Sequence, residues 1–126
     1  MLLSLAVRDF VIVDALALDF SPGFTVLTGE TGAGKSILID ALQLALGERA
    51  EADVVREGAS RAEVSAEFSA GAAVAAWLRE NALDGDGDTV LVRRIVDSGG
   101  RSRAFVNGAA ATLAQLRVLG DLLLDV

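Results

Sequence analysis

The chain has 126 residues, a formal net charge of −7, 52% apolar side chains, no cysteine and no histidine. This length suits one domain and not two. Without cysteine there is no disulfide framework or thiol chemistry, and without histidine there is no histidine base, metal ligand or pH switch within these residues.

The acidic balance argues against a generic nucleic-acid-coating surface. No apolar run approaches the about 18 residues of a membrane helix, and the segment from Met1 to Val7 lacks the basic opening and small-residue cleavage site of a signal peptide. These features point to a cytoplasmic protein with no membrane partner. Leu3, Leu5 and Val7 alternate with Ser4, Ala6 and Arg8, which predicts a strand. Leu16, Leu18 and Phe20 alternate with Ala15, Ala17 and Asp19, a second strand. Ser21-Pro22-Gly23 marks a turn, and Phe24 to Thr28 forms a short strand that runs into Gly29. Ser36 to Leu46 is apolar almost all round and predicts a helix buried by the sheet, with Gly47 placed to cap its C-terminus.

Glu48 to Arg61 is charged and irregular. Val64, Ala66 and Phe68 alternate with Glu63, Ser65 and Glu67, a half-exposed strand. Ala72 to Ala82 predicts a helix with Val74, Leu78 and Ala82 along one face. Val90 to Val96 and Arg101 to Val106 form a hairpin around Ser98-Gly99-Gly100, and Asn107-Gly108 is a further tight-turn signal. Thr112 and Gln115 make a capping box that opens a helix ending near Gly120. Leu122 to Val126 then predicts a final apolar strand.

Gly29-Glu30-Thr31-Gly32-Ala33-Gly34-Lys35-Ser36 satisfies G-x-x-x-x-G-K-[ST] at every fixed position. Glycines let the backbone turn its N–H groups inward at phosphate oxygens, and the following helix adds its own N-terminal N–H groups and positive dipole end. Lys35, the chain's single lysine, is expected to reach the β- and γ-phosphates, and the Ser36 hydroxyl to ligate Mg²⁺. An apolar strand before and an apolar helix after separate this motif from a glycine-rich turn of no function. The expected ligand is ATP with Mg²⁺, held by Gly29 to Ser36 and Ile37.

Three other patterns carry less. Asp84, Asp86 and Asp88 resemble the start of a calcium loop, but Thr89 and Ile95 stand where the loop needs glycine and glutamate. Ser98-Gly99-Gly100 with Leu122-Leu123-Leu124-Asp125 resembles an ABC-type signature and a Walker B strand. However, Arg101 to Val106 alternates as a strand where a signature opens a helix, and Val126 stands where the catalytic glutamate belongs. Arg93, Arg94, Arg101 and Arg103 lie on two paired strands and read either as a solvated face or as a basic patch for DNA phosphates.

Leu3 to Asp14, Gly29 to Leu42, Val55-Arg56-Glu57-Gly58-Ala59 and Arg101 to Gly108 together resemble the RecN family, bacterial DNA double-strand-break repair ATPases of the SMC-like group. Glu30-Thr31 favours RecN over a general SMC head, which usually has asparagine-glycine where this chain has Thr31-Gly32. The resemblance implies an α/β P-loop NTPase of ABC/SMC head type, with an antiparallel β subdomain and a Walker A strand-loop-helix. It makes residues 1–126 a single nucleotide-binding domain, the N-terminal half of a head whose coiled coil and C-terminal half lie elsewhere. It implies an ATPase active in DNA repair and recombination, a homodimer through the heads, double-stranded DNA ends as partner, and cytoplasmic or nucleoid location. No catalytic residue is expected within this chain, which should bind ATP without hydrolysing it. A nucleotide-dependent dimerisation switch and a P-loop kinase of a small molecule remain as other readings; the apparent hairpin before the P-loop and the lack of an acceptor-site motif disfavour the kinase.

Overall fold

A computed structural model of the chain describes residues 2–10, 13–19, 32–49, 52–85 and 88–124. In chain order the elements are β1 (Leu2–Phe10), β2 (Val13–Asp19), α1 (Gly32–Ala45), a 3₁₀ turn (Ala52–Val54), β3 (Arg61–Ser69), α2 (Ala72–Glu80), β4 (Thr89–Asp97), β5 (Ser102–Val106), β6 (Ala109–Ala111) and α3 (Leu113–Leu124). The strands form one six-stranded sheet in the order β2-β1-β3-β4-β5-β6, with every described pairing antiparallel. Among the described residues no helix is long and apolar enough to cross a membrane.

Period-two alternation explains the sheet. In β3, Ala62, Val64, Ala66 and Phe68 are buried, while Glu63, Ser65 and Glu67 are turned to the other face. Cross-strand register carries the same division along the sheet: Val64 pairs with Val7 and Arg94, and Glu63 with Arg8 and Ile95. The helices cover the Val64 side. Ala41, Leu44 and Ala45 of α1, Val74 and Leu78 of α2, and Leu116, Leu119 and Leu123 of α3 join Leu5, Val7, Val92 and Val106 in one core. The Glu63 side faces away from that core.

Local signals set the turns. Thr112 Oγ1 accepts from the Gln115 N–H at 3.0 Å, and Gln115 Oε1 accepts from the Thr112 N–H at 2.9 Å, the reciprocal capping box at the start of α3. Asn107 (φ 51°) and Gly108 (φ 85°) both adopt the left-handed conformation that a two-residue hairpin turn of type I′ requires. That turn creates β6, a three-alanine edge strand that residue pattern does not reveal, because alanine carries no strand signal of its own.

Two expectations are corrected. Leu122 to Leu124 are the end of α3 and not the start of a strand, and the helix does not stop near Gly120. Leu116, Leu119 and Leu123 are all buried, a helical spacing that continues through the glycine. Gly120 marks a close helix approach: a Cβ there would sit 3.1 Å from Leu46 Cβ and 3.3 Å from the Leu46 carbonyl oxygen. Phe24 to Thr28, Asp125 and Val126 lie outside the described residues.

Candidate nucleotide-binding site

Helix α1 begins at Gly32, inside the Gly29–Ser36 motif, four residues before the start that apolar patterning alone predicts. Glycine-rich sequence hides a helix start, because neither glycine nor the motif lysine carries apolar periodicity. Gly32, Ala33, Gly34, Lys35, Ser36 and Ile37 therefore form the first turns of the helix. The first four N–H groups of a helix have no acceptor within it, so Gly32 to Lys35 present backbone donors at the positive end of the dipole. Gly29, Glu30 and Thr31, which complete the motif, lie outside the described residues.

The far end of the same helix is closed by its own backbone. Gly47 has φ 100°; its N–H donates to the Leu44 carbonyl at 3.3 Å, and the Glu48 N–H donates to the Gln43 carbonyl at 3.0 Å. This is the Schellman arrangement expected where glycine follows a helix. Arg117 of α3 adds a 3.2 Å bond from Nε to the Gly47 carbonyl.

The four arginines do not share one surface. Arg93 and Arg103 belong to the face turned away from the core, and Arg101 is exposed at the end of the β4–β5 turn. Arg94 is fully buried on the helix side. Adjacent residues of a strand point to opposite faces, so Arg93 and Arg94 never could act together. Arg94 thus falls out of the expected patch, while Arg93, Arg101 and Arg103 are exposed.

Two partners of these arginines have no signal in local sequence. Glu63 pairs with Arg93, which is legible only once β3 is known to lie beside β4. Ser102 accepts from Arg94 Nη2 at 2.5 Å. Burial pulls the Arg94 guanidinium down to about 10, so it stays cationic at neutral pH.

Ser98-Gly99-Gly100 forms the turn joining antiparallel β4 and β5. The Asp97 carboxylate holds this turn, accepting from the Gly99 and Arg101 N–H groups, each at 2.9 Å. It opens a strand, as its alternation indicates, and so lacks the helix that an ABC signature requires.

A family model described as an AAA domain matches residues 4–114. Over its whole length the chain is 50% identical to the DNA repair protein RecN of Vibrio cholerae serotype O1, spanning 23% of that protein. It is 41% identical to the DNA repair protein RecN of Bacillus subtilis strain 168, again over its whole length and spanning 22% of that protein. The fold matches a crystal structure of the Smc head domain with a coiled coil and joint derived from Pyrococcus yayanosii, with TM-score 0.71, 26% identity, 98% of this chain and 25% of that one. A structure described under ATP-driven dimerisation and DNA-stimulated activation of SMC ATPases matches with TM-score 0.71 and 27% identity, covering 94% of this chain and 76% of that one. The architecture is accordingly the α/β P-loop fold of SMC-type heads, and the chain belongs to the AAA domain family.

Proposed function

We propose that this chain is the ATP-binding segment of a DNA repair ATPase, the N-terminal half of a head domain. The observation that carries the reading is the start of α1 at Gly32 within a complete Gly29–Ser36 motif. Gly29, Glu30, Thr31, Gly32, Ala33, Gly34, Lys35, Ser36 and Ile37 form the nucleotide site. The residues present suit MgATP: backbone donors and Lys35 offer positive charge to the phosphates, and the Ser36 hydroxyl offers a hard oxygen ligand to Mg²⁺.

Lys35 and the helix N-terminus act on the near side of the γ-phosphate. Hydrolysis also needs a positioned water and charge stabilisation on its far side. Our reading assigns those groups to segments outside this chain, which spans less than a quarter of the RecN relatives it matches. The whole protein closes two heads on ATP, acts at DNA double-strand breaks and works in the cytoplasm on the nucleoid. The RecN names and the dimerising SMC ATPase support this reading. Arg93, Arg101 and Arg103 are its proposed DNA phosphate contacts.

Titration of labelled ATP into the full chain and its Lys35→Ala variant tests the nucleotide site. Removing a charge-assisted hydrogen bond costs about 1.5–3 kcal/mol, so affinity should fall about 10- to 100-fold. Equal affinities would remove the P-loop assignment.

A further inference from the structure

Arg94 is the buried charged residue of the described core, fully withdrawn from solvent. Its Nη1 donates to the carbonyls of Leu44 at 2.7 Å and Glu48 at 2.9 Å, and its Nη2 donates to Ser102 Oγ at 2.5 Å. Nε is buried without a partner. Its described acceptors are all neutral, and the negative end of the α1 dipole faces the charge.

Capping alone does not explain this arrangement. The Leu44 carbonyl already accepts from the Gly47 N–H, and the Gln43 carbonyl from the Glu48 N–H. Replacing a buried ionic group with apolar side chains of similar volume is often neutral or stabilising, so a buried guanidinium is a poor way to gain stability. What it adds is direction. Dispersion and hydrophobic contact are non-directional, and among the described α1 side chains the two fully buried ones, Ala41 and Ala45, offer only methyl groups against sliding along the sheet. The planar fork of Arg94 sets both distance and angle between the end of α1 and strands β4 and β5.

Helix α1 is 14 residues long, about 21 Å at the usual rise, and behaves as a rod over that length. Its C-terminal end is held by Arg94 and its N-terminal end carries the phosphate donors. We propose that Arg94 is a positioning residue for the nucleotide site: it fixes the axial register of α1 on the sheet and thereby the placement of the Gly32–Ser36 donors. The inference rests on the P-loop reading above.

The test measures MgATP affinity in the full chain and in its Arg94→Met, Arg94→Lys and Ser102→Ala variants, at a temperature where each is folded by circular dichroism. Losing one well-placed charge-assisted contact to the phosphates, through displacement of α1 in Arg94→Met, should weaken MgATP binding by about tenfold. Arg94→Lys, which keeps donors for the two carbonyls, should recover part of that loss, and Ser102→Ala should weaken binding a few-fold. The upward shift in melting temperature on adding saturating MgATP should shrink in the same order. A merely structural role would lower the melting temperature of the nucleotide-free variants and leave their MgATP affinity at the wild-type value, which would overturn the proposal. If Arg94→Met does not fold, wild-type affinity in both other variants overturns it equally. If the wild-type chain itself fails to bind MgATP, the P-loop reading has failed and this inference falls with it. Wild-type binding that depends on Lys35, with unchanged Arg94 and Ser102 variants, removes only this inference.

Discussion

Arg93 is paired with Glu63 across strands β3 and β4: its Nε donates to Glu63 Oε1 at 3.0 Å, and Nη2 reaches the same oxygen. The two side chains are 44% and 22% exposed. Arg93 therefore offers DNA less net positive charge than Arg101 or Arg103. Changing both Arg101 and Arg103 to Glu in the full-length protein should weaken DNA binding and lower the salt slope by about 2, close to 0.9 for each phosphate no longer neutralised. Arg93→Ala should change the slope by less than half that amount, and Glu63→Gln should strengthen binding. Binding isotherms at several salt concentrations decide it. An unchanged slope in the double variant would leave these arginines as a solvated face.

Ser36→Ala should weaken ATP binding far more in magnesium than in EDTA. Mg²⁺ favours hard oxygen ligands, and the hydroxyl is the ligand this motif supplies. Parallel titrations with and without the metal give the comparison. An equal loss in both would assign the hydroxyl to phosphate and not to metal.

Gly120→Ala should destabilise the chain although alanine favours helix. The new Cβ would lie 3.1 Å from Leu46 Cβ and 3.3 Å from the Leu46 carbonyl oxygen, atoms too close to the backbone to move aside alone. Overpacking costs about 1–3 kcal/mol and the propensity gain is about 1 kcal/mol, so a net loss near 1 kcal/mol is expected in urea denaturation. A gain in stability would show that α1 and α3 separate easily.

Asn107→Ala should cost about 2–3 kcal/mol, the sum of two missing hydrogen bonds and a left-handed backbone that alanine tolerates poorly. The bonds run from the Leu91 N–H to Oδ1 at 3.0 Å and from Nδ2 to the Leu83 carbonyl at 2.9 Å. Asn107→Gly keeps the φ of 51° accessible and should cost less. Equal losses in the two variants would show that backbone strain contributes nothing.

The stability difference between wild type and Arg94→Met should stay constant from about pH 6 to about pH 9. The buried guanidinium titrates at about 10 in the folded chain, below its ordinary value, because burial disfavours the charge. Below that point both the folded and unfolded chains hold the proton, and linkage gives no slope. Above it the unfolded chain binds more protons, so the residue's contribution rises with pH. Denaturation of both proteins across the neutral range checks this. A slope there would mean that another group titrates with Arg94.

The alternation in β3, the Thr112–Gln115 box, the Asn107-Gly108 turn and the Gly47 cap were all legible in the sequence. Each depends on residues within a few positions of one another, so local spacing contains the full physical cause. The Gly29–Ser36 motif is legible for the same reason, since its glycines, lysine and hydroxyl stand close together in the chain.

Tertiary structure alone decided what depends on distant partners. It placed β3 between β1 and β4, which brings Glu63 to Arg93. It carried α3 through Gly120, because Leu46 of a distant segment approaches there and turns a helix stop into a packing site. It also buried Arg94 against the carbonyls of Leu44 and Glu48. Charge makes arginine look like surface in a sequence. Only a helix end brought to β4 across about fifty intervening residues, with its carbonyls aimed at the guanidinium, makes the interior a place it can occupy.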